Sequence, residues 1–257
     1  MIDLRAEHGC WLVRTPANPT YYWGNTLLFE RAPSAGDYPR WMGLFERLIA
    51  APQPASAHRT FGWIEDAAGE IAPFLAAGFE RNDAVVMQAS DLSPVAAPAM
   101  PVQLRPLASD GDWARLVELL VQTRATAHES TTYRPFAARR VEAWRELAAR
   151  GQGGWFGAWV NEQESPTLAA ALGIYVEREP VDGERLARYQ SVATATAYRR
   201  RGLCRALLVH AGRHARTVLA ADRLVIVAMA DELPQRIYES TGFRAAGLQR
   251  GLERRPG

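Results

Sequence analysis

Apolar positions along this chain switch repeatedly between strict alternation and the three-and-four spacing of a helix face. In the first ninety residues, 9–15 (GCWLVRT), 24–30 (GNTLLFE), 58–65 (HRTFGWIE) and 82–89 (NDAVVMQA) read as strands. Residues 39–50 (PRWMGLFERLIA) read as a helix with Pro39 near its first turn. From 102 the rhythm becomes clearer. VQLRPL (102–107) reads as a strand, and 112–125 as a helix with Trp113, Leu116, Val117, Leu120 and Val121 on one face. A second helix over 136–150 stops at Gly151, a residue suited to the position just past a helix end. Strands at 154–160 and 167–177 frame the turn NEQESP, and 188–195 reads as a third strand. A helix over 203–220, an apolar strand at 223–230 and a short helix ending at Gly242 complete the pattern. The order β-α-α-β-β-β-α-β-α predicts a mixed α/β fold: a central sheet with helices on its faces.

Between the two regions, 90–107 (SDLSPVAAPAMPVQLRPL) is rich in proline and alanine and has no period until Val102, as expected of a linker. The division expected is a domain over 1–95, a linker over 96–101 and a domain over 102–257.

Composition narrows the class without choosing the function. At 257 residues, 48% hydrophobic and 23% charged, the chain is of ordinary globular type. It has no apolar run long enough to span a bilayer, and its first residues lack a signal-peptide core, so the expectation is a cytoplasmic protein without a membrane partner. Cys10 and Cys204 stand far apart with no metal-ligand spacing, which predicts no metal site. A net charge of +2 gives no reason to expect nucleic acid. All 30 basic residues are arginine, so no side-chain amine can form a Schiff base or accept an acyl group.

The chemistry concentrates at AYRRRGLCRALL, residues 197–208. Here a strand runs into Arg-Arg-Arg-Gly and then into a helix. A helix N-terminus has four backbone N–H groups without partners and a partial positive charge. Glycine lets a ligand approach closely, and arginines add charge-assisted bonds, so the stretch reads as a phosphate cradle. Arg199-x-x-Gly202-x-Cys204 resembles the Arg/Gln-x-x-Gly-x-Gly/Ala motif of GCN5-related N-acetyltransferases (GNAT). The stretch ADELPQRIYESTGFRAAG resembles that family's second signature, a short helix carrying tyrosine and followed by Gly-Phe.

The resemblance implies an acetyl-CoA-dependent transferase acting directly on a primary amine. It implies two GNAT-like domains, each a mostly antiparallel sheet flanked by helices, with a splayed strand pair in the second. It would place the pyrophosphate of acetyl-CoA on Arg199, Arg200, Arg201, Gly202, Leu203, Cys204 and Arg205, the pantetheine arm on Val192, Ala193 and Thr194, and a cofactor contact on Asp231. Tyr238 would protonate the departing thiolate, a role suited to a phenol of pKa about 10. Cys204 departs from the glycine or alanine of the motif; a thiol is small and behaves as a modest hydrophobe, so the loop should tolerate it, with a lowered pKa beside arginines at a helix start as the minor alternative. Candidates for the general base are Glu177 and Glu179, at the end of the 167–177 strand, and His128 and Glu129 between the first two helices of the second half.

In the first half, EIAPFLAAGFE looks like a worn copy of the second signature, with Phe74 where Tyr238 stands and no arginine-glycine loop before its helix. That half is expected to be structural or to shape the acceptor site. The aromatic run Tyr21, Tyr22, Trp23 is either a pocket lining or core and turn residues. The acceptor is expected to be a small-molecule or peptide amine, and an oligomer is possible. The alternative is a non-catalytic acyl-CoA sensor or interaction module on the same scaffold.

Overall fold

A computed structural model describes residues 3–124, 130–161, 166–177, 179–230 and 233–256. Its elements in chain order begin with β1 (Asp3–Glu7), β2 (Cys10–Arg14), β3 (Thr26–Phe29), α1 (Asp37–Phe45), β4 (Arg59–Trp63), α2 (Ala72–Ala76), β5 (Glu80–Arg81) and β6 (Ala84–Ala89). There follow β7 (Gln103–Pro106), α3 (Asp110–Thr123), α4 (Ser130–Ala149), β8 (Gly153–Val160), β9 (Thr167–Val176), β10 (Leu186–Thr194), α5 (Leu203–Thr217), β11 (Arg223–Met229), α6 (Leu233–Glu239) and β12 (Arg244–Arg254). The chain forms two compact units, residues 1–86 with 247–257, and residues 87–246.

In the first unit the strands run β1-β2-β3-β4-β12, with β5 also paired to β12. All pairs are antiparallel except β3 with β4, which α1 connects. One face of this sheet buries Leu12, Leu27, Phe29, Phe61 and Leu252 against Trp41, Phe45 and Ile49 of α1 and its continuation and against Phe74 of α2. Phe29 stacks on Trp41 at 3.8 Å. On the other face Gly62 lies opposite Gly251, and the indole of Trp23 occupies the space they leave. A Cβ at Gly251 would fall 2.3 Å from that ring.

The loop that carries Trp23 is tied down by Asn25. Its Nδ2 donates to the carbonyls of Asn18 (3.0 Å) and Tyr21 (2.7 Å), and its Oδ1 accepts from Thr15 N (2.8 Å) and Gln53 Nε2 (2.8 Å). His58 Nε2 lies 3.1 Å from the Asn25 carbonyl, and its ring stacks on Tyr22 at 4.3 Å. Tyr22 and Trp23 thus pack, half-buried, against His58 and the glycine pair.

In the second unit the strands run β11-β10-β9-β8-β7. Again all are antiparallel except one pair, β10 with β11, which α5 connects. Helix α3 starts at a reciprocal cap, Ser109 accepting from Asp112 N and Asp112 bonding back to the Ser109 N–H. The buried Asp112 carboxylate also takes both terminal nitrogens of Arg105 (2.7 and 3.0 Å). Trp113, Leu116, Leu120, Val141, Trp144, Trp155, Trp159 and Tyr175 form the core between α3, α4 and the sheet.

The structure departs from the sequence reading in several places. β1 and β12 were not anticipated; in β12 only Gly251 and Leu252 of eleven residues are buried. Helix α4 starts at Ser130 and runs through Pro135, where the missing N–H costs one bond of the second turn. The units also differ from the expected division: residues 87–101 belong to the second, and 247–257 complete the sheet of the first. No helix among the described residues is long and apolar enough to cross a membrane.

Candidate functional site

The parallel pair of the second unit, β10 with β11, is short. Its register covers Leu186 to Arg188 of β10 against Arg223 to Val225 of β11. Yet β10 continues to Thr194 and β11 to Met229. Beyond Arg188 the first strand stays with β9 alone. A bulge shifts the register between Gln190 and Ala193, with Ser191 at φ +34°, before Ala193 and Thr194 pair with Ala171 and Ala170. The two strands therefore part toward their C-terminal ends. Ala195 N–H returns to β9 at Ala169 O (2.9 Å). By the strand's two-residue alternation, Thr194 turns its main chain to the open side, where its carbonyl accepts from Arg199 Nε at 3.3 Å.

The loop that follows is held in an unusual backbone. After the turn Thr196–Tyr198, Arg199 is extended, Arg200 is left-handed (φ +61°) and Gly202 is left-handed (φ +81°) as the N-cap of α5. A left-handed arginine costs about 1 kcal/mol, strain of a kind that gathers at ligand sites. Gly202 offers no capping side chain, and the first turn of α5 holds no acidic residue. As a result the main-chain N–H groups of Arg200, Arg201, Gly202, Leu203, Cys204 and Arg205 donate to no group among the described residues. Ala206 is the first to bond back, to Gly202 O at 3.1 Å. Six successive donors at the positive end of a helix, with four arginines among these residues and Arg199, suit an anion carrying several phosphate oxygens. The helix is fixed to the strand before it by Tyr189, whose hydroxyl donates to Leu208 O at 2.7 Å.

Tyr238 sits on α6 with its ring buried and edge-on to Phe243 at 6.3 Å. Its carbonyl accepts from Thr241 N (2.9 Å), Thr241 Oγ1 (2.8 Å) and Phe243 N (3.2 Å), which closes the helix at Gly242 (φ +105°). The hydroxyl has no hydrogen-bond partner among the described residues. Burial first, and Cys204 after it, push the phenol well above its ordinary range, so it keeps its proton at neutral pH. The Cys204 thiol is not activated as its neighbours suggested. Burial pushes it up to about 11, and Arg205 offsets this only in part.

Of the general-base candidates, Glu177 and Glu179 stand at the wrong end of the sheet. Glu177 N–H bonds Leu186 O at the start of β10, and the seven steps from Ala187 to Thr194 span ~23 Å of strand. Asp231, His128 and Glu129 lie outside the described residues. Among the described residues no group of three or more His, Cys, Asp or Glu could hold a metal ion. The sequence reading missed the segment 90–100, which lies against the loop: Ala99 N–H donates to Arg201 O at 3.0 Å. A signal was present, since Leu92, Val95 and Pro98 recur every third residue, the period of a polyproline helix.

The first unit repeats part of this geometry. Phe79 N bonds Phe74 O at 3.1 Å, as Phe243 N bonds Tyr238 O, and Gly78 is left-handed at φ +81°. Helix α1 also starts from a left-handed glycine, Gly36. Its first residue, however, is Asp37, whose carboxylate accepts from Ser34 N (2.8 Å), Ser34 Oγ (2.7 Å) and Arg40 Nε (2.8 Å).

A model of the acetyltransferase (GNAT) family matches residues 113–243. No curated protein matches the chain significantly. Among solved structures it is similar to a functionally unknown conserved protein from Staphylococcus epidermidis, at 12% identity and TM-score 0.74, over 100% of this chain and 95% of that one. It is similar to a GCN5-related N-acetyltransferase from Kribbella flavida at 14% identity and TM-score 0.61, over 100% and 90%. It also resembles a tandem GNAT protein from the clavulanic acid biosynthesis pathway at 14% identity and TM-score 0.52, over 98% and 85%. At these identities the likeness concerns the fold.

Proposed function

Because the chain belongs to the GNAT acetyltransferase family, we propose that it is an acetyl-CoA-dependent N-acetyltransferase with one site, in the unit of residues 87–246. The observation that carries this reading is the run of six unpartnered N–H groups from Arg200 to Arg205 at the start of α5. In this reading those donors, with the side chains of Arg199, Arg200, Arg201 and Arg205, hold the pyrophosphate. The open side of β10 at Val192, Ala193 and Thr194 holds the pantetheine arm by main-chain bonds, and Asp231 adds a further contact.

Acetyl-CoA supplies an activated thioester. The nitrogen of a primary amine on a small molecule or peptide forms the new C–N bond as the C–S bond breaks, and the electron pair goes to sulfur. Tyr238 holds a proton at its phenolic oxygen and gives it to that sulfur, while the proton shed by the amine nitrogen passes to water, from which the phenolate is reprotonated. Its raised pKa means the proton is in place throughout the physiological range. The first unit offers no second site. Phe74 cannot donate a proton, and the Asp37 carboxylate sits where an incoming phosphate would need positive charge.

Calorimetric titration with acetyl-CoA, combined with release of free thiol across a panel of primary amines, tests the reading. One site per chain is expected. Tyr238→Phe should lower kcat by about 100-fold or more with acetyl-CoA affinity retained. Binding without thiol release on any amine would leave a binding module, and two sites would return a role to the first unit.

A further inference from the structure

Residues 90–100 read as a linker in the sequence, but in the second unit they run the length of α5. At the C-terminal end of that helix Arg216 donates to the Ser90 carbonyl. Farther along, Leu92 packs where Gly212 leaves room, a Cβ there falling 2.5 Å from Leu92 Cδ1. At the N-terminal end, Pro98 Cα lies 3.5 Å from the Cβ position of Gly202, Ala99 N–H donates to Arg201 O, and Arg201 Nη1 reaches Met100 Sδ at 3.6 Å. Leu92, Val95 and Pro98 are half-buried and the residues between them exposed. In polyproline form the ten residues 90–99 cover ~28 Å, against ~22 Å for the fifteen residues of α5.

The same segment grips the end of α6. Ser93 N–H donates to Thr241 O at 3.0 Å, and Thr241 in turn gives both its N–H and its hydroxyl to the Tyr238 carbonyl. Gly242 is closely covered by the segment, its Cβ position 3.1 Å from Asp91 O and 3.2 Å from Ser93 N.

We propose that residues 90–100 are a positioning strap, which fixes the left-handed loop at Arg201 and the helix of Tyr238 in one register along α5. Ala99 acts on the loop through the Arg201 carbonyl. Ser93 acts on Tyr238 through Thr241. Neither residue is catalytic, and their roles are separable. The proposal rests on the acetyl-CoA reading for its functional meaning, whereas the strap's mechanical effect is measurable without ligand.

Ala99→Pro removes the N–H that holds Arg201, and Ser93→Pro the N–H that holds Thr241. Ala99→Ser and Ser93→Ala keep them. For Ala99→Pro the acetyl-CoA Kd from calorimetry should rise about five-fold, one hydrogen bond's worth. Amide exchange at Ala206–Leu208 should quicken, with exchange at Thr241–Phe243 unchanged. Ser93→Pro should show the reverse: faster exchange at Thr241–Phe243 with affinity near the parent's. The two N–H-retaining variants should match the parent throughout.

Parental affinity and exchange in Ala99→Pro would overturn the strap. So would a joint loss of affinity and of both protections with a lowered Tm, since that is a stability effect without positioning. If the parent itself binds no acetyl-CoA, the functional reading falls, and the exchange data still decide whether the strap holds the loop.

Discussion

The buried imidazole of the first unit makes a quantitative prediction. His58 is 1% exposed, stacked between Tyr22 and the edge of Phe45, with Nε2 on the Asn25 carbonyl. Burial lowers its pKa from 6.5 to about 4, against the opposing pull of the Asn25 carbonyl. The unfolded chain thus binds a proton that the folded unit refuses. Stability is full above pH 6.5, falls as the pH falls, and has lost its whole contribution below pH 4. At 1.36 kcal/mol per pKa unit the complete loss is about 3 kcal/mol, of which about 2 kcal/mol falls between pH 7 and pH 5. The lowered pKa values of Asp3, Asp37 and Asp112 start from 3.8, so those groups lose their contribution below this window. His210 and His214 are also lowered by burial, but they remain in any His58 variant and cancel. The assay is urea-dependent amide exchange across Arg59–Trp63, at pH 7 and pH 5, in the parent and in His58→Gln. The parent should lose about 2 kcal/mol more than the variant over that interval. A difference below ~0.5 kcal/mol would refute the reasoning, because it would mean the ring is protonated in place or exposed in solution.

Three further outcomes are expected. Gly202→Glu places a Cβ at φ +81° and a carboxylate at the cradle, and acetyl-CoA affinity should fall at least about thirty-fold by calorimetry; an unchanged Kd would move the cofactor elsewhere. Asp112→Ala breaks the cap of α3 and strands Arg105, at a cost of about 3 kcal/mol in urea unfolding followed by exchange in α3, and Asp112→Asn should recover part of it. Gly251→Ala drives a methyl into the Trp23 ring and should destabilise the first unit by about 1–3 kcal/mol; adding Trp23→Leu should relieve it, whereas additive losses would show the collision is not the cause.

Legibility tracked burial. Strands with nearly continuous buried runs, such as β4 and β9, are plain in the sequence, as is α3 with its apolar stripe, whereas its Ser109–Asp112 cap is not. β1 and β12 were invisible because sheet bonding there is made by main chain while polar side chains face water. The cradle's position could be read from Arg-Arg-Arg-Gly before a helix, but not its left-handed Arg200. The placing of Glu177 and Glu179 far from the strand opening depended on strand register, which side-chain pattern does not encode. For Cys204 the modest-hydrophobe reading fits its burial, while the lowered pKa does not, because charge adjacency is visible in a sequence and desolvation is not.

The route of the chain through the first unit bears on how the protein is made. Its sheet closes only when β12 arrives: Phe61 pairs with Leu252, about 190 positions later, and Leu252 is fully buried in that core. The unit of residues 87–246 is contiguous and can fold once its own residues have left the ribosome. The first unit must wait for residues 247–257, which follow the whole of the second, and its β4 edge at Phe61 stays unpaired in the meantime. Vectorial synthesis is thereby inverted: the unit begun earlier is completed after the one begun later. A chain truncated after residue 246 should therefore show a protease-resistant second unit and a sensitive first one.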